Sequence, residues 1–186
     1  MSALKFDLTH DELVSRFGAE NVERSVREEA GGLGFTGETL EFLCEVGIPS
    51  TPKAEVAAPG GSVDLRAIDE MSDSQWSVPK EALNWIILGN LTATTIALDT
   101  VTGLVYGFYE GAEDPVTLHA DISSLAYTIY AVECALPEIA AQSSFDSREA
   151  IIQRVRREIE QRDPLPFSED SEWVPSFEEI AMGMWS

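Results

Sequence analysis

Few residues of this sequence have the types and spacing of a catalytic centre. There are two histidines, His10 and His119, and His119 shortly precedes the hydroxyl side chains of Ser123 and Ser124. Together with Asp121, His119 could act as the general base of a hydrolase. However, no Gly-x-Ser-x-Gly turn accompanies these serines, and a lone histidine after a strand-like segment is typically held by structural hydrogen bonds. We therefore predict that the chain has no catalytic residues.

Metal and phosphate sites also lack their usual signatures. No segment has ligand spacing such as His-x-x-x-His or Cys-x-x-Cys. Glu110, Glu113 and Asp114 share one turn and could hold calcium, but the Asp-x-Asp-x-Asp-Gly spacing of a calcium loop is absent, which favours a solvated acidic turn. Residues 31–34 are glycine-rich without the Lys-Ser/Thr pair of a phosphate-binding loop, and are predicted to form a flexible turn. We expect no metal and no cofactor.

Charge is the most informative property of the composition. The chain has 33 Asp and Glu residues against 12 Lys and Arg residues, a net charge of −21 over 186 residues. Between Arg66 and Arg148 the only cation is Lys80, whereas twelve carboxylates lie there. Such a surface repels nucleic acid and anionic membranes and attracts basic partners. Solubility in a crowded cytoplasm is the alternative explanation.

Composition also limits the class of protein. Hydrophobic residues make up 44% of the chain, enough for one folded core. No apolar run approaches the ~20 residues of a membrane helix, and residues 1–7 lack the pattern of a secretion signal, so we expect a cytoplasmic protein. Cys44 and Cys134 lie in apolar, helix-like segments and are predicted to be buried free thiols.

The elements expected first along the chain are two helices. Thr9 and Glu12 have the spacing of a capping box, and that helix should end at Gly18. Thr36 should open a second helix that ends at Gly47. Residues 50–62 are predicted to be a surface loop.

Strands are expected in the middle of the chain. Apolar, β-branched and aromatic runs predict strands at 63–65, 85–88, 94–98, 104–109 and 116–118, with a loop at 71–81. Gly103 can supply the positive φ of a hairpin loop between the third and fourth of these. Trp85 is predicted to be a core residue. Trp76 lies in a polar loop, where it could anchor a partner or pack on the core.

Helices are expected again near the end of the chain. An apolar stripe predicts a helix that Pro137 ends, Asp146 should cap the next, and Ser176 with Glu179 should cap a last short helix. The middle helix carries five arginines, which are expected to pair with glutamates on that helix, or to dock on the acidic remainder of the domain or on a second copy of it. The sequence therefore predicts an α+β fold with an antiparallel sheet flanked by helices, in which 1–186 form one domain and 147–186 a C-terminal helical extension packed on it.

Several segments together resemble one protein family. Residues 39–49, TLEFLCEVGIP, resemble the "fL-x-x-vGlP" element of the SUKH superfamily, in its fourth subgroup of bacterial immunity proteins. Residues 96–106, IALDTVTGLVY, are similar to its "i-x-lD-x-x-tG-x-Vy" hairpin. Ser123, Ser124 and Leu125 match its "NsSl" segment, except that Ile122 stands where the asparagine is usual, and any polar role of that asparagine is lost or passes to Asp121. The resemblance extends from about Leu13 to Trp185.

This resemblance implies a SUKH-like fold and a non-enzymatic protein that binds and neutralises a cognate polymorphic toxin, often a nuclease or a nucleic-acid deaminase. Because a nuclease presents a basic groove to phosphates, carboxylates of an acidic protein could take the place of phosphate there. The expected partner is therefore a basic toxin domain, and neither nucleic acid nor a membrane. The candidate contact residues surround the predicted hairpin: Asp69, Glu70, Asp73, Trp76, Glu110, Glu113 and Asp114. A scaffold or regulatory interaction module is the alternative function.

Overall fold

The computed structural model describes residues 4–59, 82, 84–109 and 114–185. In these residues the α-helices are α1 (His10–Phe17), α2 (Arg27–Gly32), α3 (Gly37–Glu45), α4 (Ile122–Ala140), α5 (Phe145–Glu160) and α6 (Trp173–Met182). The strands are β1 (Val22–Glu23), β2 (Ile48–Pro49), β3 (Ala54–Val56), β4 (Trp85–Leu91), β5 (Thr94–Asp99), β6 (Val105–Phe108) and β7 (Val116–His119).

Both sheets are antiparallel, which confirms the predicted α+β fold. Strands β3 to β7 form a five-stranded sheet in chain order, and β1 pairs with β2 in a separate ribbon. The predicted hairpin is present between β5 and β6, where Leu98 lies opposite Val105. Gly103 has a φ of 78° in the connecting turn. Asp99 holds this turn, because its carboxylate accepts from the Val101 amide at 2.8 Å and the Thr102 hydroxyl at 2.6 Å.

Strand β3 corrects the prediction of a loop over 50–62. Ala54 and Val56 are buried while Glu55 between them is exposed, and this alternation suits an edge strand. The strand pairs with β4, with Val56 opposite Gly89. The strand has only three residues, and the Pro and Gly residues on either side of it are typical of loops, so the sequence pattern indicated a loop. The predicted strand at 63–65 and loop at 71–81 lie outside the described residues.

The sheet buries apolar side chains on both faces. On one face Ile86, Leu98 and Val105 join the same cluster as Leu125 and Ile129 of α4. A smaller cluster on the other face contains Ala82, Trp85, Ala97 and Phe108. The ring of Trp85 stacks on that of Tyr106 with centroids 3.7 Å apart. Trp85 is therefore a core residue, as predicted.

The first helices are partly as predicted. Thr9 caps α1 with a complete capping box and Gly18 ends it, while Thr36 is the N-cap of α3. Helix α2 was not predicted, because residues 31–34 were interpreted as a flexible turn. Gly31 and Gly32 are instead the last two residues of α2 and follow Ala30, which is fully buried in the core. Packing of one small side chain thus outweighs the weak helix propensity of two glycines.

Helix α4 passes through Pro137, so the prediction that this proline ends it is wrong. Proline has no N–H, and the carbonyl of Glu133 four residues earlier therefore loses its usual helical donor. The guanidinium of Arg16 on α1 donates to this carbonyl. The same guanidinium lies 3.7 Å from the Glu133 carboxylate. A donor from a distant helix thus lets α4 continue to Ala140.

The predicted caps of α5 and α6 are also wrong. Ser144, not Asp146, caps α5 by accepting from the Ser147 amide at 3.2 Å. Helix α6 begins at Trp173, three residues before Ser176, and Ser176 is buried within it. Trp173 contacts Phe177 edge-on at 6.2 Å, so burial of these rings extends the helix toward its N-terminus.

Two of the four arginines of α5 form hydrogen bonds or ion pairs with other elements. Arg154 pairs with Glu138 of α4 at 2.5 Å, and Arg148 donates to the carbonyl of Ala181 at 2.8 Å. Within the helix, Arg156 pairs with Glu160 at 2.9 Å. These contacts join α5 to α4 and α6, while the division of the chain into a domain and an extension from 147 stays a prediction.

The cysteines are free thiols, but the prediction that both are buried is wrong. Cys44 is half-buried, and burial raises the pKa of its thiol. Cys134 is exposed, because it lies on the solvent side of α4 between the buried Val132 and Ala135. Apolar neighbours in sequence indicated a buried segment without fixing which of its faces points inward.

Candidate functional site

His119 lies in a buried chain of hydrogen bonds that joins three parts of the fold. Its Nε2 is 2.7 Å from Nε1 of Trp173 on α6, and its Nδ1 is 3.0 Å from Oγ of Ser124 on α4. The Ser124 hydroxyl lies 2.6 Å from Oδ2 of Asp163. All four residues are essentially inaccessible to solvent.

The direction of these hydrogen bonds is opposite to that of a nucleophile and its base. The indole N–H of Trp173 can only donate, so Nε2 of His119 accepts and the proton lies on Nδ1. Nδ1 then donates to Ser124, whose own hydroxyl hydrogen points to Asp163. Burial lowers the pKa of His119 to about 3, which keeps the ring neutral at physiological pH. In a hydrolase the serine would donate to the histidine, so this arrangement is structural, as favoured from the sequence.

Asp163 and Asp121 are the acceptors that organise this buried region. Asp163 accepts from Ser124, from the Ala120 amide at 2.8 Å and from the Leu165 amide at 3.1 Å. Asp121 caps α4 through the Ser124 amide at 2.9 Å and also accepts from the Ser123 hydroxyl at 2.6 Å. Asp121 therefore supplies polar contacts at this helix start, next to the buried Ile122.

Asp121 and Ser123 also fix the N-terminal segment on the protein. The Lys5 amide donates to Asp121 at 2.7 Å, and the Phe6 amide donates to Ser123 at 3.0 Å. The ring of Phe6 stacks on Tyr127 of α4 with centroids 4.2 Å apart. These contacts place residues 4–9 as one wall of a surface groove.

This groove, which we call the N-terminal groove, lies between the N-terminal segment and α3. It has a volume of about 680 Å³. Its lining consists of Leu4, Phe6, Asp7, Leu8, Thr9, Glu12, Glu38, Glu41, Phe42, Glu45 and Val46. His10 ties its two walls together, since Nδ1 lies 2.9 Å from the Val46 carbonyl and must donate to it.

The N-terminal groove has an apolar floor and an acidic rim. Phe6, Leu8 and Phe42 are buried in the core at its base. Five of its eleven lining residues are carboxylates and none is a lysine or arginine. Near its rim, Arg27 forms a bidentate pair with Glu41 at 2.7 and 2.8 Å and reaches Glu45 at 3.2 Å. The groove therefore retains an excess of negative charge.

Two of these carboxylates are held in the charged form by hydrogen bonds. The Arg27 guanidinium lowers the pKa of Glu41. The hydroxyl and amide of Thr9 lower the pKa of Glu12 within the capping box. In the described part of the chain, no ion pair involves Asp7 or Glu38, and both are exposed. The rim thus presents carboxylates that an external cation can contact.

Six of the seven predicted contact residues lie outside the described residues: Asp69, Glu70, Asp73, Trp76, Glu110 and Glu113. Asp114 is described and is exposed. The N-terminal groove was not predicted from the sequence, although Glu38, Glu41 and Glu45 have the three- and four-residue spacing that places carboxylates on one face of a helix.

Within the described residues, no group of three or more His, Cys, Asp or Glu side chains is arranged to hold a metal ion. None of the helices in this part has the length and apolarity needed to cross a membrane.

Comparison with known proteins gives one match. A family model described as SUKH-4 immunity protein matches residues 8–179. Neither the curated proteins nor the solved structures gave a match. The matched range includes α1 to α5, strands β1 to β7, and the two buried acceptors Asp121 and Asp163.

Proposed function

Because this chain belongs to the SUKH-4 immunity protein family, we propose that it binds a cognate polymorphic toxin and neutralises it without catalysis. The observation that carries the proposal is the match to an immunity family over residues 8–179, which is nearly the whole chain. We propose that the toxin is a nuclease or a nucleic-acid deaminase. Such an enzyme acts on nucleic acid inside the cell, so its inhibitor is proposed to act in the bacterial cytoplasm.

Electrostatic attraction is the proposed basis of recognition. An enzyme that binds nucleic acid presents lysine and arginine side chains to phosphates. A chain with a net charge of −21 is attracted to such a surface over distances of about a Debye length, and itself repels nucleic acid. Carboxylates would then take the place of phosphates on the toxin.

The proposed contact surface includes the residues predicted from the sequence. These are Asp69, Glu70, Asp73, Trp76, Glu110, Glu113 and Asp114. Exposed carboxylates at the edge of an interface mainly raise the association rate, whereas a tryptophan seated in a pocket mainly slows dissociation. Trp76 is therefore proposed as the apolar anchor of this set.

A growth experiment tests the proposal. A candidate toxin domain, taken from the products of the genes that neighbour this chain's gene, is expressed from an inducible promoter in a bacterial host, with and without this chain. We expect the toxin domain alone to stop growth and co-expression of this chain to restore it. An immunity protein from another subgroup, expressed at the same level, should not protect. If growth stops equally with and without this chain, the immunity proposal is wrong and a scaffold function gains support.

A further inference from the structure

We propose that the N-terminal groove receives a projecting segment of the toxin that carries arginine or lysine side chains around an apolar one. This inference rests on the proposed function and names one contact surface within it. The groove differs in position from the surface predicted from the sequence, because it is built from residues 4–12 and 38–46. None of these residues belongs to the acidic middle of the chain.

The shape of the groove determines what kind of element can bind there. It is a concave space of about 680 Å³, within the size range of small-molecule and peptide sites. A concave acidic surface cannot enter a nuclease cleft, but it can enclose a helix or hairpin that projects from the toxin. The toxin segment in this groove would therefore lie outside the toxin's own concave active site.

The floor and rim favour a basic amphipathic segment. Phe6, Leu8 and Phe42 underlie the base of the groove but are buried. Its accessible apolar surface comes from Leu4 and Val46, which are only half-buried. Lysine and arginine side chains have apolar stems and charged ends, so they can cover such a floor while their cations reach the rim. An acidic or neutral segment would instead lose hydration of the five carboxylates without gaining an opposite charge.

Among the groove's carboxylates, those of Asp7 and Glu38 are best suited to bind a cation of the toxin. Arg27 already partners Glu41 and Glu45, and Thr9 already partners Glu12. In the part of the chain that the structure describes, Asp7 and Glu38 take part in no ion pair, and they lie on opposite walls. A basic segment in the groove would gain an unpaired carboxylate on each wall without breaking an existing ion pair.

The test compares two double variants with the same change in charge. Asp7→Asn with Glu38→Gln removes two negative charges from the groove. The matched control, Glu149→Gln with Glu178→Gln, removes two exposed charges from α5 and α6. The C-terminal end of α5 is the end near the groove, because Arg162, just beyond it, lies over the Phe6 ring. Glu149 is near the opposite end of this helix. Because all four residues are exposed, both variants should fold as the natural chain does.

Binding of the toxin domain is measured by calorimetry. We expect the groove variant to bind about tenfold more weakly and the control to bind within about twofold of the natural chain. Leu4→Asn, which removes part of the apolar floor, should also weaken binding while leaving its salt dependence unchanged. Equal affinities for the groove variant and the control would overturn the groove as a contact surface, even if the chain still protects cells.

The proposal can also be separated from the immunity function itself. A short labelled peptide with arginine and leucine at helical spacing is titrated with the natural chain and both double variants. We expect the groove variant alone to bind it more weakly, whether or not the neighbouring toxin domain is neutralised. No binding of this peptide, or equal binding by all three proteins, would contradict a groove that selects basic amphipathic segments.

Discussion

Replacing Asp163 with alanine is expected to lower the free energy of unfolding by about 3–5 kcal/mol, the largest effect of any single side chain in the buried network. Its carboxylate is fully buried and accepts from the Ser124 hydroxyl and the amides of Ala120 and Leu165. Alanine would remove the acceptor of the buried Ser124 hydroxyl and of the half-buried Ala120 and Leu165 amides. For a chain of this size the melting temperature should fall by about 10 °C.

Denaturant unfolding of the natural chain and the variant at neutral pH measures this loss. Asp170→Ala is the matched control, since it removes an exposed aspartate on the connection between α5 and α6. The control should change the unfolding free energy by less than about 0.5 kcal/mol. If the free energy of unfolding of the Asp163→Ala variant lies within about 1 kcal/mol of that of the natural chain, the buried network does not stabilise the fold as described.

Replacing Gly89 with alanine is expected to separate strand β3 from the sheet. Gly89 has a φ of 137° at a bulge of β4, a conformation that side chains rarely adopt. A Cβ atom there would lie 2.0 Å from the carbonyl oxygen of Glu55 on β3. Backbone must move to relieve this contact, so we expect a loss of about 2–4 kcal/mol in unfolding free energy.

Hydrogen exchange at the Ala57 amide gives a local measure of this separation, because that amide donates to the Leu88 carbonyl at 2.7 Å. Gly31→Ala is the matched control. A Cβ atom at Gly31 in helix α2 would meet no atom within 4 Å, so alanine should stabilise the chain by about 0.5–1 kcal/mol. Unchanged exchange at Ala57 in the Gly89 variant would contradict the predicted clash.

Several elements whose deciding contacts are local were predicted correctly from the sequence, although the cap of α5 was not. Thr9 and Glu12 form their capping box within one turn of chain, and Gly103 shapes a turn between two adjacent strands. Strands β4 to β7 follow one another as hairpins, so apolar runs and turn residues were sufficient to predict an antiparallel sheet. In each case the deciding contacts lie within a few residues of one another.

Elements decided by distant contacts were predicted wrongly or missed. The sequence near Pro137 gives no sign that Arg16 will satisfy the carbonyl of Glu133, yet this contact allows α4 to continue. Helix α2 depends on burial of Ala30, and the start of α6 on burial of Trp173. Propensity and capping patterns describe only the local part of the free energy, and packing outweighed them at these positions.

The candidate site shows the same division. The net charge of −21 follows from the sequence without knowledge of the fold, and it is the basis for proposing a basic partner. The N-terminal groove could not be predicted in this way, because its walls are about thirty residues apart in sequence and meet only through packing. The chemistry of His119 likewise depended on Trp173 and Asp163, which lie 54 and 44 residues away.

Direct titration of the cognate toxin domain with this chain tests the central claim, that the chain neutralises a toxin by binding it through acidic groups. Complex formation and toxin activity are measured together at low and at high salt. We predict that toxin activity disappears when the two proteins are equimolar, and that affinity falls by about tenfold or more as salt screens the carboxylates. A toxin domain that stays fully active at saturating concentrations of this chain, or affinity that salt does not change, would contradict the account.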